Sequence, residues 1–298
     1  MSTFTAIDIS KLPAPDVVEE ISFEQIFQSM LADLQARDES FTAMTESDPA
    51  YKILQVAAFR EVLIRQRVNE ASRAVMLPYA AGADLDNLGA LLNVPRLLID
   101  DGDAAAIPPV PPTYESDTDF RRRIQLSPEG FSTAGPEGAY IFHAISADGA
   151  VLDTSAISPS PGDVTITVLS RVGNGSASSD LVSAVNTALT RESVRPLTDH
   201  VTVQGATIIS YSIEATLYFY SGPGNEEVLS QAQAAINTYV ADGHRLGVDV
   251  TLSGIYAALH RPGVQRVELT SPNANISVDK TEAAFCTTIT LTDGGVDE

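Results

Sequence analysis

The chain of 298 residues is 44% hydrophobic and 19% charged, so it can bury a sizeable core and does not have the composition of a disordered tail. Its formal net charge of −21 disfavours binding to nucleic acid, because an acidic surface is repelled by a phosphate backbone. The absence of Trp and the small share of aromatic residues argue against a carbohydrate-binding platform or a base-stacking surface, since both use exposed aromatic rings.

The first predicted element is an amphipathic helix that begins at Ser10 or Ser22. Its apolar face repeats every three or four residues and comprises Phe23, Ile26, Phe27, Met30, Leu31 and Leu34. Asp48 and Pro49 begin a second helix, because a capping residue followed by proline is a favoured helix start. Residues 51–77 contain neither glycine nor proline and would span ~40 Å as a helix.

This long helix carries a positive charge and an apolar seam. Residues 51–77 include five basic and two acidic side chains, whereas residues 1–50 include two basic and ten acidic ones. A heptad-like rhythm interrupted by arginines predicts a partner-binding seam made of Ile53, Ala57, Arg60, Ile64, Arg67, Val68, Ala71 and Val75. A second apolar stripe lies nearby, at Val56, Phe59 and Leu63.

Two interpretations of this helix stay open on sequence alone. In one, the helix is buried within its own domain. In the other, it has more apolar surface than a small domain covers, and it joins a helix bundle shared with other chains. The acidic faces of those chains would then meet the arginines.

A shorter helix and a linker follow. We expect Asp84 to cap a helix that Pro95 ends. Residues 96–114 contain three alanines and the run PPVPP, and they are predicted to form an exposed linker with extended proline geometry.

Two further helices precede the first sheet. Ser116 or Asp117 should cap a short helix that runs through Gln125. Gly135 and Pro136 should open another helix, which stops at Gly149.

The rest of the chain alternates between strands and helices. Strands are predicted at residues 151–157, 163–169, 200–203, 208–220, 264–270 and 286–292. Helices are predicted at residues 180–190, 225–241 and 252–260. Strand followed by helix therefore occurs twice, which indicates two small α+β units and a weak internal repeat.

The predicted class is α+β: a helical N-terminal region with a long bundle helix, followed by two small α+β domains in tandem. We divide the chain into a helical region, a proline-rich linker with a short helix, and two α+β domains, at residues 1–95, 96–130, 131–206 and 207–298.

Candidate chemical sites are weak. Asp100, Asp101 and Asp103 lack the downstream bidentate Glu of a calcium loop. Asp84 and Asp86 resemble a carboxylate pair, but we interpret Asp84 as a helix cap and Asp86 as a residue on a solvated face. The four histidines stand far apart, each without a neighbouring ligand at metal spacing: His143, His200, His244 and His260.

The basic run Arg121–Arg123 follows three acidic residues, so local ion pairing or a protein contact is favoured over phosphate binding. Cys286, the single cysteine, excludes an internal disulfide and is interpreted as a buried, inert thiol. No phosphate loop, dinucleotide signature or nucleophile motif occurs. We therefore expect no catalytic, cofactor or metal site.

The N-terminus does not have the pattern of a signal peptide, and no apolar run approaches the ~18 residues of a membrane span. We accordingly expect neither secretion by a signal peptide nor insertion into a membrane.

Several motifs, taken in order, resemble the baseplate J-like protein family of contractile phage tails and phage-tail-like bacteriocins. Residues 59–96 resemble its helical region. ESDTDFRRRI at residues 115–124 and FSTAGPEGAYIFHAISAD at residues 131–148 resemble its central signature. Residues 158–175 and 195–203 resemble its first α+β unit.

The resemblance implies a structural baseplate wedge component without enzymatic activity. Its helices would join a bundle with other wedge subunits and a second copy of itself, and its C-terminal domains would link neighbouring wedges into a six-fold ring around the hub. It would bind no nucleic acid, membrane, small-molecule substrate or cofactor. It would assemble in the bacterial cytoplasm and end in the baseplate of the released particle. The alternative is a receptor-binding or glycan-handling tail protein.

Overall fold

The computed structural model describes residues 9, 12–13, 19–191, 194–196, 198–222 and 224–297. These residues form eight α-helices and eight β-strands, which confirms the α+β class. They divide into two compact units. The helical unit comprises the described residues up to Arg96 together with residues 117–121, and the sheet unit comprises residues 97–116 and those from 122 onward.

The helical unit begins with α1 (Phe23–Arg37) and α2 (Pro49–Ala74). Ser22 caps α1 as predicted, because its hydroxyl oxygen accepts a hydrogen bond from the Gln25 amide. The other predicted start, Ser10, lies outside the described residues. The long helix is confirmed, but α2 ends at Ala74, three residues earlier than predicted.

The third helix, α3 (Gly82–Leu91), corrects the expected role of Asp84. The helix begins two residues before Asp84, which therefore lies within the first turn and does not cap it. Instead, the Gly82 amide donates to the Asp117 carboxylate at 3.1 Å. A side chain 35 positions away thus binds a helix N-terminus whose local sequence offers no cap.

The expected linker is partly ordered as a small ribbon. Its strands β1 (Leu98–Asp100) and β2 (Thr113–Tyr114) pair antiparallel, and an isolated bridge joins Asp103 to Val110. The carboxylates of Asp100 and Asp103 accept hydrogen bonds from amides two or three residues further on. These local bonds close tight turns, so the segment folds back on itself instead of staying extended.

The first sheet follows two helices, α4 (Asp117–Leu126) and α5 (Glu137–Ile145), the second of which ends four residues before the predicted Gly149. The remaining elements of this region are β3 (Val151–Ser160), β4 (Asp163–Ser170), α6 (Ser179–Leu189) and β5 (His200–Gly205). The sheet order is β3-β4-β5, with β4 antiparallel to β3 and parallel to β5. α5 and α6 cover its buried face.

The second sheet is built from the last third of the chain. Its elements are β6 (Thr207–Phe219), α7 (Asn225–Gly243), α8 (Leu252–Leu259), β7 (Val264–Ser271) and β8 (Glu282–Val296). The sheet order is β7-β6-β8, with β6 antiparallel to β7 and parallel to β8. β8 has 15 residues and is about twice as long as the predicted strand at 286–292.

Both sheets place one antiparallel and one parallel neighbour beside a middle strand that leads into a helix. The order along the chain differs, because the antiparallel neighbour precedes β4 but follows β6. The two sheets share one unit and contact each other at Asp153. Its carboxylate accepts from Arg122 at 3.0 Å and from the Leu246 amide at 3.1 Å.

Candidate partner-binding site on the long helix

One side of α2 is covered by α1. Ala58 is fully buried at the contact, together with Ile26 and Phe27, and the Phe27 ring meets the Tyr51 ring edge-on at 4.8 Å. This packing accounts for the apolar face of α1 but uses only one stripe of α2.

Two hydrogen bonds from the side-chain amide of Asn69 hold the segment before α1 on the same side of α2. Asn69, which is almost fully buried, accepts from the Glu19 amide at 3.0 Å and donates to the Glu19 carbonyl at 2.8 Å. Arg65 adds charged contacts of 2.7 Å to Glu61 and 2.9 Å to Glu19. This side of the helix is therefore occupied by the chain itself.

The opposite side of α2 faces solvent. All eight residues predicted for the seam are exposed: Ile53, Ala57, Arg60, Ile64, Arg67, Val68, Ala71 and Val75. Among the apolar ones, Ile53 is 69% exposed, Ile64 65% and Val68 54%. Val75 is also exposed, although it follows α2 as its C-cap residue. At about 100° per residue, the residues within α2 lie along one side of the helix.

A second apolar stripe extends this open face. Val56, Phe59 and Leu63 are all exposed, and their positions place them beside the seam around the helix. We call these three residues the flank, and the eight predicted residues remain the seam. A contiguous apolar patch of this kind on a folded chain is typical of a protein–protein contact surface.

The charge of the seam is positive. Arg60 and Arg67 are exposed and make no ion pair within the part of the chain that the structure describes. Arg65, which lies outside the seam, is the arginine of this helix that is bound to acidic side chains. A partner surface with acidic side chains would therefore complement the seam both in polarity and in charge.

The three arginines at residues 121–123 bind carbonyl and carboxylate groups of the same chain. Arg121 donates to the Leu77 and Ala80 carbonyls at 2.8 Å, and Arg122 pairs with Asp153. Arg123 forms a pair with Glu115 at 2.5 Å, and both side chains are at most 3% exposed. The predicted local ion pairing is confirmed for Arg123, whereas the partner of Arg122 lies 31 positions away in the sequence.

A cluster around Arg96 was missed from the sequence. Its guanidinium contacts the carboxylates of Asp86 and Asp117 at 2.7 Å each and stacks 4.7 Å from the centre of the Phe120 ring. Asp86 is therefore an ion-pair partner and not only a solvated side chain. The partners are 10 to 24 positions away in sequence, so no local pattern could have found them.

Two other residues considered from the sequence, His143 and Cys286, lie in surroundings that packing within the fold explains. Burial lowers the pKa of His143, whose ring nitrogen lies 3.1 Å from the Gly130 carbonyl. Cys286 is half-buried and not fully buried as expected, and desolvation raises the pKa of its thiol. No group of three possible metal ligands occurs among the described residues. Within the same residues, no helix is long and apolar enough to cross a bilayer.

The sequence matches three family domains in order. Residues 46–103 match the baseplate J-like N-terminal domain, residues 132–205 the baseplate J-like central domain, and residues 211–292 the baseplate J-like protein C-terminal domain. Over 98% of its length, the chain is 52% identical to "Baseplate protein J" of Escherichia phage P2, and the alignment covers 99% of that protein.

Among solved structures, the chain is similar to one chain of the six-fold symmetrised cryo-EM structure of the anti-feeding prophage baseplate. The TM-score is 0.42 and the sequence identity 14%, and the match covers 60% of this chain and 44% of that chain. The present chain therefore spans less than half of that relative.

Proposed function

Because this chain belongs to the baseplate J-like family, we propose that it is a wedge subunit whose long helix binds partner subunits through the seam. Membership makes the chain a structural component of a phage-tail baseplate that associates with other baseplate subunits. The wedge position, the bundle and the ring contacts belong to the proposal.

The observation that supports the bundle most directly is the division of α2 into two sides. α1 and the Glu19 segment occupy one side, while the seam and the flank expose apolar side chains along the other. An exposed apolar stripe at heptad-like spacing is suited to packing against further helices. The arginines of the seam favour acidic partner helices.

The proposal assigns separate tasks to the other parts of the chain. The domains at 131–206 and 207–298 would form the contacts that link neighbouring wedges into a six-fold ring, with residues 96–130 connecting them to the helical region at 1–95. A second copy of the chain and another wedge subunit would complete the bundle. The role is structural and involves neither cofactor nor catalysis.

Co-purification with the neighbouring baseplate subunits tests the bundle. The variant Ile64→Asp/Val68→Asp places two carboxylates on the seam. Full burial of an Ile or Val side chain contributes about 1.5–3 kcal/mol. In proportion to their exposed fractions, Ile64 and Val68 would together contribute about 2–4 kcal/mol to the free energy of association. The binding constant should fall by at least about 30-fold, before the cost of burying the carboxylates is added.

A matched control separates the seam from a general charge effect. Gln66→Asp/Arg73→Gln changes the net charge by the same amount on an exposed part of α2 away from the seam. This control should still co-purify with the partner subunits. Partner binding of normal strength by the seam variant would show that the seam is not the contact.

A further inference from the structure

The outer edge of β8 is open. β8 stands at the end of its sheet, and from residue 285 onward β6 is its only partner strand among the described residues. An open edge presents unpaired backbone donors and acceptors, which is a template for another strand.

The stretch of β8 at residues 288–292 lacks the usual protection against pairing, although register shifts interrupt the strand on either side, near Thr287 and near residues 294–295. Residues 283–292 contain no charged residue, no proline and no glycine, and five of the ten are β-branched. The other edge strand of the same sheet, β7, carries Arg266 and Glu268, and Arg266 also pairs with Asp297. Charged side chains on edge strands are a common device against association. The contrast marks β8 as the edge that is free to pair.

A groove beside β8 provides space for the side chains of an added strand. It has a volume of about 520 Å³ and lies between one face of α7 and Leu291 of β8. Leu229, Gln233 and Asn237 line its α7 side. A strand added to the sheet next to β8 would direct alternate side chains under α7 and into this groove.

The residues of β8 divide into two faces. Ile289 and Leu291 pair with Ile213 and Ala215 of β6 and contact the helix-covered core. Thr288, Thr290 and Thr292 are exposed. An incoming strand must therefore have apolar residues on one face and neutral polar residues on the other. β8 itself meets this description.

We propose that β8 pairs antiparallel with β8 of a second copy of this chain, which extends the three-stranded sheet across the two molecules. Such a contact is isologous, so one self-complementary strand serves both partners. With Thr290 opposite its counterpart, Ile289 of each copy lies opposite Leu291 of the other, and the apolar residues enter both grooves.

The charge of the chain also favours this edge for contact between two copies. With a net charge of −21, two molecules repel each other over most of their surfaces. The uncharged run at 283–292 allows close approach without placing like charges opposite each other. The inference deepens the proposed function, since it assigns a surface to the second copy, but it does not depend on the seam.

Sedimentation of the full-length chain over a range of concentrations tests the pairing. The Ile64→Asp/Val68→Asp background is used so that the seam does not contribute to self-association. This protein should form a concentration-dependent dimer. Thr290→Lys should raise the dimer dissociation constant at least tenfold, while Thr290→Val and the β7 control Thr270→Lys should change it less than threefold.

Disulfide trapping gives an independent readout if Thr290→Lys folds poorly. In a Cys286→Ser background, Thr290→Cys should form a disulfide-linked dimer on mild oxidation, because directly opposed residues of antiparallel strands have Cα atoms about 4.5–5.5 Å apart, within the range that a disulfide spans. Thr270→Cys in the same background should not. A chain that is monomeric at every concentration and gives no linked dimer overturns the proposal, as does a dimer that Thr290→Lys leaves intact.

The same variants separate this inference from the proposed function. In the chain with a native seam, Thr290→Lys should still co-purify with partner subunits. If Thr290→Lys abolishes that co-purification and leaves dimerisation unchanged, the edge of β8 binds a strand of another subunit, and the second-copy assignment is wrong. If the seam variant keeps its partners and Thr290→Lys weakens the dimer, the bundle proposal is wrong and the β8 pairing is supported.

Discussion

The buried ion pair between Glu115 and Arg123 leads to a sharp prediction about stability. The two side chains are 3% and 2% exposed and meet at 2.5 and 3.2 Å through two hydrogen bonds. Removing the carboxylate with Glu115→Leu therefore leaves a buried guanidinium without this partner.

The expected loss is large. Breaking a buried pair from one side costs about 3–5 kcal/mol, whereas replacing both members with apolar residues of similar volume is often neutral or stabilising. Glu115→Leu should therefore lower the free energy of unfolding by about 4 kcal/mol. Glu115→Leu combined with Arg123→Met should return it to within about 2 kcal/mol of the parent. The interaction energy from the double-mutant cycle should exceed about 3 kcal/mol.

Urea unfolding followed by circular dichroism measures these differences. With a slope of about 2–3 kcal/mol per molar urea, the single variant should shift the midpoint of the transition of the sheet unit by about 1–2 M. A shift of less than about 0.3 M for Glu115→Leu would contradict the reasoning, because it would mean that water reaches the site. A double variant as unstable as the sum of the single variants would also contradict it.

Two further predictions concern α2. Arg60→Gln/Arg67→Gln should weaken binding to an acidic partner at low salt by about tenfold and flatten its salt dependence, as measured by titration at several ionic strengths; an unchanged salt dependence would exclude these arginines from the contact. Asn69→Ala should cost about 1–3 kcal/mol and speed hydrogen exchange at the Glu19 amide, because it deletes both bonds that hold this segment. Asn69→Asp, which keeps the acceptor, should leave that amide better protected than Asn69→Ala does.

Sequence periodicity predicted the elements whose boundaries depend on local chemistry. Local signals predict the cap at Ser22 and the helix start at Pro49, and the structure has both. Spacing alone places the seam residues on one side of α2 but leaves open whether that side is buried within the chain, and the structure exposes it. What covers the seam stays a prediction.

The errors arose where distant residues decide the structure. The Gly82 amide is bound by Asp117, so α3 needs no capping side chain of its own. β8 continues through Asp293 to Val296 because β6 provides a partner over that length, although the local sequence there resembles a turn. Asp153 is a buried charged residue in the first half of β3, and only the fold brings Arg122 and the Leu246 amide to its carboxylate. Pairings of this kind have no local signature.

The two sides of α2 differ in what covers them: the chain itself packs against one side, and under the proposed function partner subunits would pack against the other. On the covered side, the buried amide of Asn69 and the closely packed Ala58 fix where the chain lies. On the open side, the exposed seam residues are apolar except for Arg60 and Arg67. Two seams brought together directly would place these like charges near each other. Within the proposed bundle, the seam therefore favours an acidic helix of the other wedge subunit as its direct neighbour, and the uncharged stretch of β8 is the better surface for direct pairing between two copies of the chain.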